Sequence, residues 1–121
     1  MWRPGEVETW LEDPVLGKVT DRPPWPGANG VQYHRGHIFV TSSDRAILVH
    51  AQVEETGIYV GGSLTVMAQG IAGDDLAFDE KENAYVTTNP QQTISRFRRI
   101  GAQGYHAGCG PVHGGRKLGL C

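Results

Sequence analysis

Apolar and polar positions alternate along this chain in short runs and never sustain the three-and-four spacing of an amphipathic helix. "VETWLE" (Val7–Glu12), "HIFVTS" (His37–Ser42), "AILVHAQV" (Ala46–Val53), "LTVMA" (Leu64–Ala68), "LAFD" (Leu76–Asp79), "AYVTT" (Ala84–Thr88) and "TISRF" (Thr93–Phe97) each read as a strand. Gly, Pro, Asn or Asp bounds each run, as turns between strands require. With 17 glycines and 7 prolines, almost every candidate helix is interrupted. The pattern predicts an all-β fold.

Two stretches of the pattern resemble one another: "GANGVQYHRGHIFVTSSDRAILVHA" from Gly27 and "AGDDLAFDEKENAYVTTNPQQTISRF" from Ala72. Side by side, Asn29 meets Asp74, Val31 meets Leu76, Tyr33 meets Phe78, Phe39 meets Tyr85, Val40 meets Val86 and Ile47 meets Ile94. Each copy runs as a lead-in turn, a short inner strand, a hairpin turn (His34–Gly36; Asp79–Asn83), a second strand, a polar turn and a third strand. An outer-strand candidate, Val7–Glu12 or Leu64–Ala68, precedes each copy and brings the unit to four strands. Four short antiparallel strands repeated every 40–50 residues or so is the signature of propeller blades. A β-sandwich whose two hairpins are similar by chance is the competing arrangement. The expectation is an incomplete β-propeller over residues 1–100, with about two four-stranded antiparallel blades: a blade end at 1–14, then blades at 27–70 and 72–99. Residues 101–121, with seven glycines and no period, read as an irregular, disordered tail. Because repeat units bury their faces only against neighbours, two blades would leave two apolar faces in water. The chain is therefore expected to be a fragment of a larger array, or to need another chain to cover those faces.

Composition narrows the partners. A 39% apolar share in 121 residues allows one domain with a modest core. Lys and Arg number 11 against 13 Asp and Glu, a formal charge of −2, which gives no footprint for nucleic acid or an anionic membrane. No apolar run reaches the roughly 18–20 residues that span a bilayer, and "MWRPGEVETW" lacks a basic-then-apolar leader, so the cytoplasm is the default location. Cys109 and Cys121 both fall near the end of the chain and cannot form a disulfide framework.

The segment "GDDLAFDEKENAYVTTNP" (Gly73–Pro90) gathers five carboxylates between Asp74 and Asn83. An EF-hand loop is excluded, because Leu76 and Phe78 stand where the third and fifth ligands belong. Strand alternation also puts Asp74 on the opposite face from Asp75 and Asp79. "DEKEN" (Asp79–Asn83) reads as a solvated hairpin turn. Asp74 differs, since its repeat partner Asn29 also offers an oxygen at the start of an inner strand. The pair reads either as a site facing a common channel or as two turn residues bonded to their own backbone. His34 and His37, flanking the hairpin, and His50, within an apolar strand, read as structural. His106, Cys109 and His113 offer three zinc-type ligands without a fourth. Arg96–Arg99 reads as exposed charge at a strand end. Tyr33, Phe39, Phe78 and Tyr85 read as core between units. No nucleophile triad, Cys/His pair or phosphate-cradling loop stands out.

The stretches "GANGV" (Gly27–Val31), "GDDLAFD" (Gly73–Asp79) and "NAYVTTNP" (Asn83–Pro90) carry a resemblance. From about Trp2 to Arg98 the chain resembles the senescence marker protein/gluconolactonase family of six-bladed propellers, particularly fungal members associated with natural-product pathways. The resemblance implies that Asn29 and Asp74 are metal ligands at the mouth of a central channel, holding a divalent, calcium-like cation. No counterpart of the family's metal-binding Glu can be placed, and the family's Asp-Gly is here Asp74-Asp75. A small-molecule substrate is implied. The activity implied is that of a cyclase, hetero-Diels–Alderase-like, or of a truncated remnant of one. A metal-dependent lactone hydrolase and a non-catalytic fragment or interaction module are the alternatives, and whether the chain is itself an enzyme stays open.

Overall fold

The structure is a computed structural model and describes residues 3–20, 25–89 and 91–98, together with the backbone of 112–113 and 116–117. Strands β1 (Ala28–His34), β2 (His37–Ser42), β3 (Ile47–Gln52) and β4 (Thr65–Gln69) form one antiparallel sheet in that order. Strands β5 (Leu76–Phe78), β6 (Ala84–Thr88) and β7 (Thr93–Phe97) form a second. Two short strands, β8 (Val112–His113) and β9 (Arg116–Lys117), pair within the segment expected to be irregular; the rest of that tail lies outside the described residues. No α-helix occurs among the described residues, and the chain is all-β, as its alternation requires. The first sheet has four strands and the second three, and neither closes on itself.

Turn chemistry sets the registers. Between β1 and β2, Arg35 and Gly36 both have positive φ (47° and 81°), the pattern of a type I′ loop whose twist matches that of the strands. The β5–β6 turn is one residue longer. Asp79 organises it: Oδ1 accepts from the backbone of Lys81 and Asn83, and Oδ2 accepts from the Asn83 amide and the Tyr85 hydroxyl. The turns that follow are alike in both units. The Ala46 N–H bonds Ser43 O and the Gln92 N–H bonds Asn89 O, and Ala46 and Gln92 share the left-handed conformation (φ 54° and 56°).

These registers confirm most of the internal alignment and correct one position. Val31 pairs with Val40 as Leu76 pairs with Val86, and Tyr33 pairs with Ile38 as Phe78 pairs with Ala84. In the third strand, however, Ser42 pairs with Ile47 while Thr88 pairs with Thr93, so Ile47 corresponds to Thr93 and Ile94 to Leu48. The two isoleucines are a one-residue slip in the sequence comparison, and a slip of one places a side chain on the wrong face.

Two other expectations change. Leu64–Ala68 does form a strand, shifted to Thr65–Gln69, but it pairs with β3 as the fourth strand of the first sheet. Val7–Glu12 forms no strand despite its strand-like residue types. No strand among the described residues pairs with it. Instead the segment crosses the Val40 face of the first sheet, where the Trp10 indole donates to Gly57 O (2.7 Å) and meets the edge of Tyr59. The following residues are tied to the Ser43–Ala46 turn. Asp44 accepts from Val19 N, Thr20 N and the Thr20 hydroxyl, and Arg45 donates to the carbonyls of Pro14 and Gly17.

The core lies between the sheets. Phe39, Leu48, Met67, Ala68 and Ile71 on one side meet Leu76, Ala84, Val86 and Phe97 on the other, with Phe78 packed alongside. The faces that meet are not equivalent. Phe39 and Leu48 of the first sheet correspond in register to Tyr85 and Ile94 of the second, yet they pack on the opposite face, that of Leu76, Ala84 and Val86. Of the four aromatics read as core, Phe39 is fully buried and Phe78 half-buried against it, but Tyr33 is 58% exposed and Tyr85 turns its hydroxyl to Asp79.

Glycines let the inner ends approach closely. A Cβ on Gly73 would lie 2.8 Å from Val86 Cγ1 and 2.9 Å from Thr41 Cγ2, and one on Gly30 would lie 2.4 Å from Asp74 O. Gly73→Ala is therefore expected to destabilise the fold by about 1–3 kcal/mol. Ala46→Gly, which relieves a left-handed alanine, is expected to stabilise it by about 0.5–1 kcal/mol. Chemical denaturation of the two variants beside the parent chain checks both signs.

Candidate functional site

The inner strands β1 and β5 run side by side, and polar side chains collect where their N-terminal ends meet. Each sheet twists away from this edge while Gly30 and Gly73 hold the two backbones close, so side chains that begin the inner strands point toward one another. Asn29 and Asp74 meet there: the Asn29 amide donates to Asp74 Oδ1 at 2.7 Å and to Ser43 Oγ at 3.1 Å. Ser43 Oγ in turn donates to Gly73 O (2.7 Å). Thr41 Oγ1 accepts from Gly30 N (2.9 Å) and donates to Asp74 O (3.0 Å). The Asp74 backbone is fixed from its own sheet by N–H donation to Thr87 O.

These bonds divide the pair between two tasks. Through its amide nitrogen Asn29 ties the two units together, and no hydrogen bond among the described residues engages its carbonyl oxygen or Asp74 Oδ2. Neither bonds its own backbone in the manner of an Asx turn. Asp75 instead bonds the next residue of its own strand, its Oδ1 accepting from Leu76 N (2.8 Å). The sequence thus placed two acidic neighbours together, and the structure separates them into one that spans the units and one that locks its own strand.

A hard divalent cation such as calcium takes six to eight oxygens, or about six for magnesium. Asn29 and Asp74 supply two side chains on one arc of such a shell, and the carbonyl groups nearby are already hydrogen-bonded. Among the described residues no group of three or more His, Cys, Asp or Glu side chains is disposed to hold a metal ion. The pair is suited to contribute to a cation or polar-ligand site that further groups complete. His106 and Cys109, and the side chain of His113, lie outside the described residues.

The residues read as structural show their roles. His34 stacks on Phe78 (centroids 4.1 Å apart, planes 5° apart), and its Nε2 lies 3.2 Å from Glu82 Oε1. Arg35 Nε approaches the same oxygen at 3.1 Å. Glu82 was expected in a solvated turn; it is buried instead, and its carboxylate joins the hairpin of the first unit to that of the second. Turn length hides this in the sequence. The extra residue of the second hairpin puts Glu82 in left-handed conformation (φ 67°), which swings its side chain inward. Arg96 and Arg98 are exposed, as read; Arg99 lies outside the described residues. His50 is buried beside His37 and Phe39.

No family model matches the chain, and no curated protein matches it. No helix among the described residues is long and apolar enough to cross a membrane.

Among the described residues, three groups have clearly shifted titration. Burial, aided by the charge of His37, pushes His50 down to about 4 from the ordinary 6.5. Bonds from the Asn83 side chain and backbone hold Asp79 near 2, and the Thr20 hydroxyl and backbone do the same for Asp44. A histidine with a lowered folded value binds protons more readily unfolded, so stability falls as pH drops from 6.5 toward 4. The two carboxylates withdraw their stabilisation only below their unfolded value of 3.8, as pH falls toward 2. A loss of about 1–3 kcal/mol is expected between pH 7 and 4.5, and His50→Gln should flatten it. Denaturant midpoints against pH for both chains test this.

Proposed function

We propose that the chain supplies two adjacent blades of a β-propeller whose channel carries small-molecule chemistry, and that the Asn29/Asp74 edge is its portion of the channel mouth. The observation that supports the reading is the juxtaposition itself. Equivalent positions of two repeats, distant in sequence, meet at 2.7 Å at the same end of both inner strands and leave an oxygen each for a ligand. Together with the resemblance to the gluconolactonase-like propellers, this favours the cyclase reading, in which a natural-product intermediate is shaped for ring closure. Orientation and exclusion of water would provide the rate, with Asn29 and Asp74 fixing polar groups of the substrate. No further chemistry is required of these residues.

A second reading has its own support. One amide and one carboxylate at a channel mouth are also a partial donor set for a divalent ion that polarises a lactone carbonyl. Additional ligands must then come from elsewhere in the assembled propeller. The third possibility, a module without catalysis that only completes another chain, predicts no ligand at this edge.

Amide-resonance mapping with hydroxylated lactone and polyketide-like fragments separates these readings. Perturbations centred on Asn29, Ser43, Asp74 and Thr87, and abolished in Asp74→Ala, are the expected outcome. Perturbations confined to other surfaces would overturn the channel reading. Calcium titrated into the chain is expected to bind at this edge, and to lose at least tenfold in affinity in Asp74→Ala, if the lactonase reading holds; absence of any heat or shift would remove that reading.

A further inference from the structure

The contact between the two sheets is a template for a contact that the described residues do not make among themselves. Phe39 and Leu48 are fully buried because the face of Leu76, Ala84, Val86 and Phe97 lies against them. Their counterparts on the second sheet, Tyr85 and Ile94, point outward; Ile94 is 69% exposed. The Val40 face of the first sheet is crossed by the chain's own Val7–Glu12 segment, beside which Val31 is left exposed. There Val31, Ile38, Val40 and Ala51 occupy the register positions of Leu76, Ala84, Val86 and Phe97. Val31 is 61% exposed. Among the described residues, each end of the sheet stack therefore carries part of the interface found in its middle, the second sheet without counterparts of Met67, Ala68 and Ile71.

We propose that a second copy of this chain docks on it head to tail, the Tyr85/Ile94 face of one against the Val31/Val40 face of the next. Shape agrees with the register. The segment crossing the Val40 face leaves a 260 Å³ cleft floored by Val31, Ile38, Val40 and Ala51 and walled by Trp10 and Leu16. The small Ala51, at the place of Phe97, helps to open it, and Ile94 is the side chain that the repeat would insert there. Tyr33, 58% exposed at the place of Phe78, would meet Tyr85 of the neighbour as Phe78 meets Phe39, whose rings are 4.7 Å apart. The match is incomplete at the inner edge, where Ala28 stands at the place of Gly73 and Asp75 at the place of Gly30, so the inner edges of two copies sit further apart than those within one chain.

Head-to-tail contacts are heterologous and must close into a ring or extend into a fibre. Propellers of four to eight blades are the closed solutions, which for two units per chain means about two to four copies. The inference rests on the channel reading above and names the neighbour that completes the channel: the same chain again.

Light scattering after size exclusion, over a concentration series of the full chain, is expected to show a discrete species of two to four copies. Ile94→Glu and Val31→Glu change exposed side chains, so circular dichroism melts should match the parent while each variant alone runs as a single copy. Mixed, they should form a one-to-one pair, because each retains the face the other has lost. A parent chain that stays single at every concentration overturns the proposal. So does an oligomer that survives either substitution, or a mixture that fails to pair. A single-copy parent would still leave the channel reading with a different chain as neighbour, and only the fragment mapping decides that.

Discussion

Phe39 and Leu48, at the centre of the first sheet, are removed from water only because Leu76, Ala84 and Val86 of the second lie against them. Alone, either sheet would leave this apolar face in water, so each unit leans on the other for its stability. Everything else in the molecule is arranged around that contact. Glycines at 30 and 73 permit the inner ends to touch, the His34–Glu82–Arg35 group fastens the hairpin ends, and Ile71 fills the crossing between the sheets. Apolar burial sets the separation of the sheets and the polar bonds at either end set their angle.

The polar edge is a by-product of the same contact. Backbones that approach to within a missing Cβ must satisfy every N–H and C=O they exclude from water, and short hydroxyl side chains do so with least bulk. Thr41 and Ser43 serve here, bonding Gly30 N, Asp74 O and Gly73 O. With the backbone satisfied by hydroxyls, Asn29 and Asp74 are free to bond each other. Structural economy at the edge is thus what places an amide and a carboxylate side by side where the two sheets meet, and the chemistry proposed for them depends on packing several residues away.

Much of this was legible from alternation. Strands His37–Ser42, Ala84–Thr88 and Thr93–Phe97 begin and end where their patterns do, since turn residues bound them on both sides. Asn29 and Asp74 could be paired because the repeat carries them to the same point of each unit. The remainder depended on three-dimensional neighbours. Val7–Glu12 carries strand-like residue types, but a strand needs an open edge beside it, and this segment lies over a face. Glu82 looked like one more solvated charge until turn length rotated it toward His34. The Ile47/Ile94 pairing failed because matching residue types outweighed matching register, and only the hydrogen-bonded partners reveal the slip.

The two hairpins differ in length by one residue, yet the strands after them stay in step. Growth at that end is absorbed locally, since Asp79 can gather a longer loop without disturbing a single pair beyond it. At the opposite end Gly30 and Gly73 leave no room even for a methyl group. Variation in such a molecule is therefore polarised: one rim accommodates a longer turn as long as Glu82 still reaches His34 and Arg35, while the other is held to a fixed outline.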